Sequence, residues 1–222
     1  MMLRRLLALS SALAFATTTP LTAQTQGVTF TVTPQTFTSA LNESRGWQFT
    51  LLQNVFVTSV GVFDAGADGL NRTRSVGIWS TAGVAPLTSV VAPAGVGGTL
   101  GTDNFRYFSL AMPFFLGVGT YNIGADYIVD DTDAIAFETA PTGAAGFVVY
   151  NGPRLSSVGG FANPTSVSAV KGGAFGPNFQ FSAAGATVVP EPSVAVLFAA
   201  GLFALGIAAR RRTLIRKCQQ LA

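Results

Sequence analysis

The sequence predicts an all-β protein, an antiparallel β-sandwich of jelly-roll-like type, flanked by an N-terminal signal peptide and a C-terminal single transmembrane helix. Three observations point there. From Gly27 to Ser182 the chain runs in short stretches rich in Val, Phe, Thr and Tyr, punctuated by Gly, Pro, Asn and Asp roughly every ten residues. Within those stretches polarity alternates: Trp47, Phe49 and Leu51 stand against Gln48 and Thr50, and Tyr121 and Ile123 against Thr120 and Asn122, so each strand has one face to bury. Finally, an uncharged apolar run occurs near each end of the chain.

Residues 1–23 begin with Arg4 and Arg5, continue as an apolar run from Leu6 to Ala16, and finish in small and polar residues up to Ala23. That order is the pattern of a secretory signal peptide, with signal peptidase expected to cut after Ala23. The exported domain is then expected over residues 24–187. Its strands are expected at Val28 to Thr33, Trp47 to Leu52, Phe56 to Phe63, Ser75 to Ser80, Phe105 to Leu110, Gly119 to Tyr127, Ala134 to Glu138, Gly146 to Tyr150 and Phe179 to Ser182. No helical stripe interrupts them, and two stacked antiparallel sheets bury one face of each strand most economically.

After the domain, Pro190-Glu191-Pro192 precedes an uncharged run, Val194 to Ala209, that ends at Arg210-Arg211-Arg212. A helix over 194–209 spans about 24 Å, short of a roughly 30 Å hydrocarbon core, so the arginine stems must snorkel and the bilayer thin locally. By the positive-inside rule the arginines and the tail 213–222 stay cytoplasmic while the domain is exported. Cys218, the single cysteine, lies on that tail, so the domain is held by its core and not by an intramolecular disulfide.

The 222-residue chain has a formal charge of +3, yet it is no nucleic-acid binder by this reading. Arg4 and Arg5 and the cluster Arg210, Arg211, Arg212, Arg216 and Lys217 lie at the ends. The middle keeps Arg45, Arg72, Arg74, Arg106, Arg154 and Lys171 against all ten acids, a balance of 6 − 10 = −4 that repels phosphate. With no His, the Ser-His, Cys-His and His-zinc chemistries are absent as well.

The segment from about Val188 to Arg212, with Pro190-Glu191-Pro192, the adjacent apolar helix carrying internal glycines and the arginine stop, resembles the PEP-CTERM sorting signal of exported bacterial proteins. The tail TLIRKCQQLA is longer than usual in that family. The resemblance implies an inner-membrane precursor, recognition and cleavage by an exosortase, and delivery to the cell surface or an exopolysaccharide matrix. Physically, two prolines two apart keep 188–192 out of the helix and extended, as a protease-accessible strand at the bilayer face. The middle resembles a domain of uncharacterised function often found ahead of such signals, through Gly46-Trp47-Gln48-Phe49, Val60 to Asp64, Asp68-Gly69-Leu70, Val76-Gly77-Ile78-Trp79, Gly119 to Ala125 and Gly176-Pro177-Asn178-Phe179. That likeness implies a sandwich and an extracellular setting, and brings no catalytic residues with it.

Candidate chemistry is sparse. Asp64 and Asp68 in the loop Asp64-Ala65-Gly66-Ala67-Asp68-Gly69 form a fragment of a calcium-loop pattern, without its middle oxygen ligand or closing acid, so a solvated hairpin loop is the simpler reading. Asp126, Asp130, Asp131 and Asp133 could add oxygens, but acids are ordinary in turns. Ser168-Ala169-Val170-Lys171 spells S-x-x-K in a Gly-Pro context unfit to hold a nucleophile and its base together. Glu43 and Glu138, or a pair of aspartates, could serve a glycosidase, though solvation at the surface is expected of them. Trp47, Trp79, Tyr107, Tyr121, Tyr127 and Tyr150 could stack on sugars, but both tryptophans fall on apolar strand faces and are expected in the core. The leading expectation is a surface structural or adhesive protein without cofactor or metal; the alternatives are an extracellular carbohydrate-binding module or carbohydrate-active enzyme, and a calcium-dependent adhesin.

Overall fold

The computed structural model describes residues 24–185 apart from 31–34, 40, 130, 138–139, 157 and 171–172. The expected signal peptide, Pro190 to Pro192, the apolar run 194–209 and Arg210 to Arg212 lie outside the described residues. Among the described residues the chain is all-β, with no helix. In chain order the strands are β1 (Thr25–Gln26), β2 (Val28–Phe30), β3 (Gln35–Phe37), β4 (Glu43–Leu51), β5 (Val55–Phe63), β6 (Arg74–Ser80), β7 (Thr88–Ala92) and β8 (Thr99–Leu100). They continue with β9 (Phe105–Leu116), β10 (Gly119–Tyr127), β11 (Ile135–Phe137), β12 (Pro141–Gly143), β13 (Val148–Ser156), β14 (Ser166–Val167), β15 (Ala174–Phe175) and β16 (Pro177–Ala183).

A five-stranded sheet runs β1-β16-β5-β9-β8 and a six-stranded sheet β14-β13-β4-β10-β6-β7, beside small sheets β15-β11-β3 and β12-β2; the pairings are antiparallel. Two tight turns, 52–54 from β4 to β5 and 117–118 from β9 to β10, carry the chain directly from one large sheet to the other. Inward side chains of both sheets meet in one core. The Trp47 ring of β4 stacks on Phe179 of β16 at 5.8 Å between centroids, and Phe49 meets the same ring at 4.8 Å. The Trp47 indole N–H donates to the Pro177 carbonyl at 2.8 Å, so this large side chain is buried without stranding its polar atom. Each such ring contributes about 1.5–3 kcal/mol on full burial.

The alternation behind the strand expectations holds over Trp47 to Leu51 of β4; in β10 Ile123 is buried as expected, but Asn122, expected on the outer face, is buried as well. Three departures from the expected strands, two extensions and one additional strand, have identifiable reasons. β9 runs on to Leu116 because the pairing slips between Phe114, opposite Val57, and Ser109, opposite Ser59, and that bulge accommodates Pro113. β13 continues through Asn151-Gly152-Pro153 because its register against β4 shifts between Tyr150 and Gly152. β7, between Pro86 and Pro93, was not expected as a strand; it forms the edge of the six-stranded sheet, where a short β-branched run needs only one partner.

Candidate functional site

Acids singled out by the sequence converge at one end of the sheets, and Glu43, Asp64, Asp131 and Asp133 are buried instead of solvated. Arg74 opens β6 with its side chain fully buried, and its Nη2 donates to Asp131 at 2.6 Å and to Asp133 at 2.7 Å. Arg72 donates through Nε to Asp131 at 2.9 Å and through Nη1 and Nη2 to Asp126 at 3.1 Å. Asp133 also accepts the Asn71 backbone N–H at 3.0 Å and its side-chain amide at 2.6 Å. The face of the Tyr127 ring lies 4.5 Å from the Arg74 guanidinium carbon, a cation–π contact inside the protein. Three carboxylates are thus shared by two guanidiniums. The expectation of solvated turn acids is corrected here, because the pairing of β6 with β10 brings two arginines under the loop that follows β10.

Burial alone raises the pKa of the Asp131 carboxyl; the hydrogen bonds from Arg74 and Arg72 override it, and the group sits below the usual carboxylate range. Burial also pushes the Tyr127 phenol up, against the pull of Arg74, so it stays neutral beside the cluster. These oxygens are committed to protein donors, which makes the cluster a brace that fastens the 128–134 loop to β6.

The calcium-candidate loop divides in the same manner. Asp64 is buried; its carboxylate accepts the Gly69 N–H at 3.2 Å and the Arg106 Nε at 2.8 Å, while Arg106 Nη1 donates to the Val96 carbonyl at 2.9 Å. Asp68 is exposed, and Gly66 and Ala67 turn between the two at φ 93° and 60°. Asp64 therefore joins this loop to the loop before β8, through Arg106. Among the described residues no three His, Cys, Asp or Glu side chains group as a metal cluster. Glu43 is also buried, not surface-solvated, accepting from Arg45 Nε and the Ser39 hydroxyl. Asp130, Glu138 and Lys171 lie outside the described residues; the Ser168 hydroxyl accepts the Val170 N–H at 3.3 Å.

Both tryptophans are buried, but on opposite faces of the six-stranded sheet. Trp47 joins the core; Trp79 points outward, beneath a strap formed by residues 158–165. The strap crosses a row of glycines, Gly46, Gly124 and Gly77, placed side by side on β4, β10 and β6. Phe161 covers Trp79 at 4.9 Å between ring centroids, and Asn163 accepts from Asn122 at 2.9 Å while donating to the Ser80 and Gly83 carbonyls at 3.0 and 2.7 Å. Local sequence pattern does not announce this strap, though the glycines of Val76-Gly77 and Ile123-Gly124 are its signal. Beyond it the outer face is a polar ladder: Thr50 and Thr120 share a 2.9 Å hydroxyl contact, Asn151 donates to Thr50 at 2.8 Å, and Arg154 donates to Gln48 at 2.8 Å. Tyr107 and Tyr127 are buried, and Tyr121 and Tyr150 pack against the core.

No family model matches the chain, and no curated protein or solved structure matches it.

Proposed function

We propose that this is an exported, non-enzymatic structural or adhesive protein of the bacterial cell surface or exopolysaccharide matrix. Its body is read as a β-sandwich of jelly-roll-like type, freed of its leader by signal peptidase and processed at the membrane by an exosortase. The order Pro190-Glu191-Pro192, apolar run 194–209, Arg210-Arg211-Arg212 carries this reading. The domain supports it: Glu43, Asp64, Asp126, Asp131 and Asp133 are tied to arginines, and the aromatic rings that could have met sugars are largely turned inward. Such a module needs no cofactor to stand outside the cell.

Mass spectrometry of the released product tests the proposal. A mature C-terminus close to Glu191 is expected, and Glu191→Gln or deletion of residues 190–192 should leave the full-length, membrane-held form; unchanged release in both variants would falsify it. The second reading, a carbohydrate-binding module or carbohydrate-active enzyme in the same location, draws on the exposed ladder around Thr50, Thr120 and Asn151. Glycan-array binding that disappears in Asn151→Ala combined with Thr50→Val would favour it over the passive module.

A further inference from the structure

Charge is confined to one end of the described domain. No Asp, Glu, Lys or Arg occurs from Trp47 to Phe63, Ser75 to Thr102, Tyr107 to Ala125 or Thr139 to Pro153. The antiparallel register gathers the middles of these stretches at the same end of both large sheets: Leu51 lies beside Gly119 and Val148, and Val55 beside Leu116 and Ala183. Glu43, Asp64, Arg74, Arg106 and Asp126 all sit at the opposite end of their strands. Apolar side chains are exposed at both ends. Leu41, Val129 and Val158 at the charged end are interleaved with ionic groups, whereas Leu52, Phe56, Phe115 and Val118 at the other end stand, among the described residues, in a charge-free region.

The chain also leaves the domain from the uncharged end. β16 finishes at Ala183 beside Val55, and the Ala184 N–H donates to the Asn54 carbonyl at 3.0 Å. The Asn54 side chain in turn accepts the Val118 N–H at 3.0 Å, so one residue ties the chain exit to both inter-sheet turns. Only residues 186–193 separate Gly185 from the apolar run at Val194. Eight residues reach at most about 28 Å when fully extended.

We propose that this uncharged end is a lipid-contact surface, resting on the outer leaflet of the inner membrane while the precursor is anchored; the proposal rests on the membrane-anchored reading above. Contact there dehydrates no ionic group and inserts Leu52, Phe115 and Val118 at headgroup depth, where apolar and aromatic side chains are favoured. A short tether raises the effective concentration of the surface at the bilayer, so a weak contact is sufficient. Cutting the tether near Pro190 to Pro192 removes that advantage, and the same weak contact then lets the body go.

The test uses the full-length chain with Cys218→Ser and one new cysteine at a time, at Val118, Asp68 or Ala204, carrying a polarity-sensitive fluorophore. The protein is reconstituted in phosphatidylcholine vesicles with brominated acyl chains. Strong quenching is expected at Ala204 and Val118 and none at Asp68, with no dependence on salt. Adding Leu52→Glu and Phe115→Glu should abolish the quenching at Val118 while the intrinsic tryptophan emission stays native. Quenching at Ala204 without quenching at Val118 overturns the surface and leaves the anchor standing. No quenching at Ala204 overturns the anchor, and the surface with it. A Val118 probe that is blue-shifted, blind to bromine and sensitive to dilution overturns the proposal in favour of a second copy of the chain.

Discussion

Arg74 has no access to water and stands between Asp131 and Asp133, with the Tyr127 ring against its guanidinium. Removing it strands two buried carboxylates, and breaking one side of such a network costs about 3–5 kcal/mol; Arg72, which still holds Asp131, keeps the expected loss towards the lower figure. Arg74→Met should therefore lower the urea midpoint of unfolding by that measure while leaving its slope unchanged. The network also sets an acid limb. The folded pKa of Asp131 lies below its unfolded value of about 3.9, so its contribution is fully present above that value and is lost as pH falls through the folded pKa. Thermal unfolding from pH 6 downward should show stability falling below about pH 4 in the wild type, and a shallower fall in Asp131→Asn. The acids were visible in the sequence and their burial was not. The partners Arg74 and Asp131 lie 57 residues apart, and nothing in local spacing says that β6 and β10 will pair to join them.

At the scale of elements, glycine has two uses that the sequence does not separate. Some glycines punctuate turns; Gly46, Gly77 and Gly124 instead lie inside strands, where they cost stability unless something needs the space. The strap needs it. A Cβ on Gly124 would lie 2.9 Å from Pro164 Cγ, and one on Gly77 would lie 2.8 Å from Phe161 Cζ. Gly124→Ala should therefore push the strap outward, costing about 1–3 kcal/mol as an overpacked contact. The readout is specific: acrylamide should begin to quench Trp79 beneath the strap while Trp47 in the core stays protected. Equal protection of both tryptophans in that variant would show that the strap yields without opening. The alternating run Trp47 to Leu51 of β4 was legible because that stretch buries one face. The bulged halves of β9 and β13 were not, because Pro113 and Asn151-Gly152-Pro153 read as breaks unless the partner strand is known.

For the whole molecule the sheet order makes the two ends of the domain meet. β1 pairs with β16, and Asn178 of β16 reaches β2, accepting the Val28 N–H at 3.3 Å and donating to the Val28 carbonyl at 2.9 Å and the Tyr107 hydroxyl at 3.1 Å. Residues 28 and 178 are 150 apart in sequence, so this closure carries a large loop entropy that is recovered only once the intervening sheets exist. Asn178 is fully buried, and replacing it with Ala leaves the Val28 backbone groups and the Tyr107 hydroxyl short of partners, a loss of about 2–4 kcal/mol. Because the closure forms late, that loss should fall on the unfolding rate. Stopped-flow chevrons of Asn178→Ala are expected to show unfolding faster by about a hundredfold and refolding nearly unchanged, a φ-value under about 0.3. A variant that instead refolds a hundredfold more slowly would put the terminal strands in the folding nucleus, and the domain would then have to hold both its ends before its middle could form.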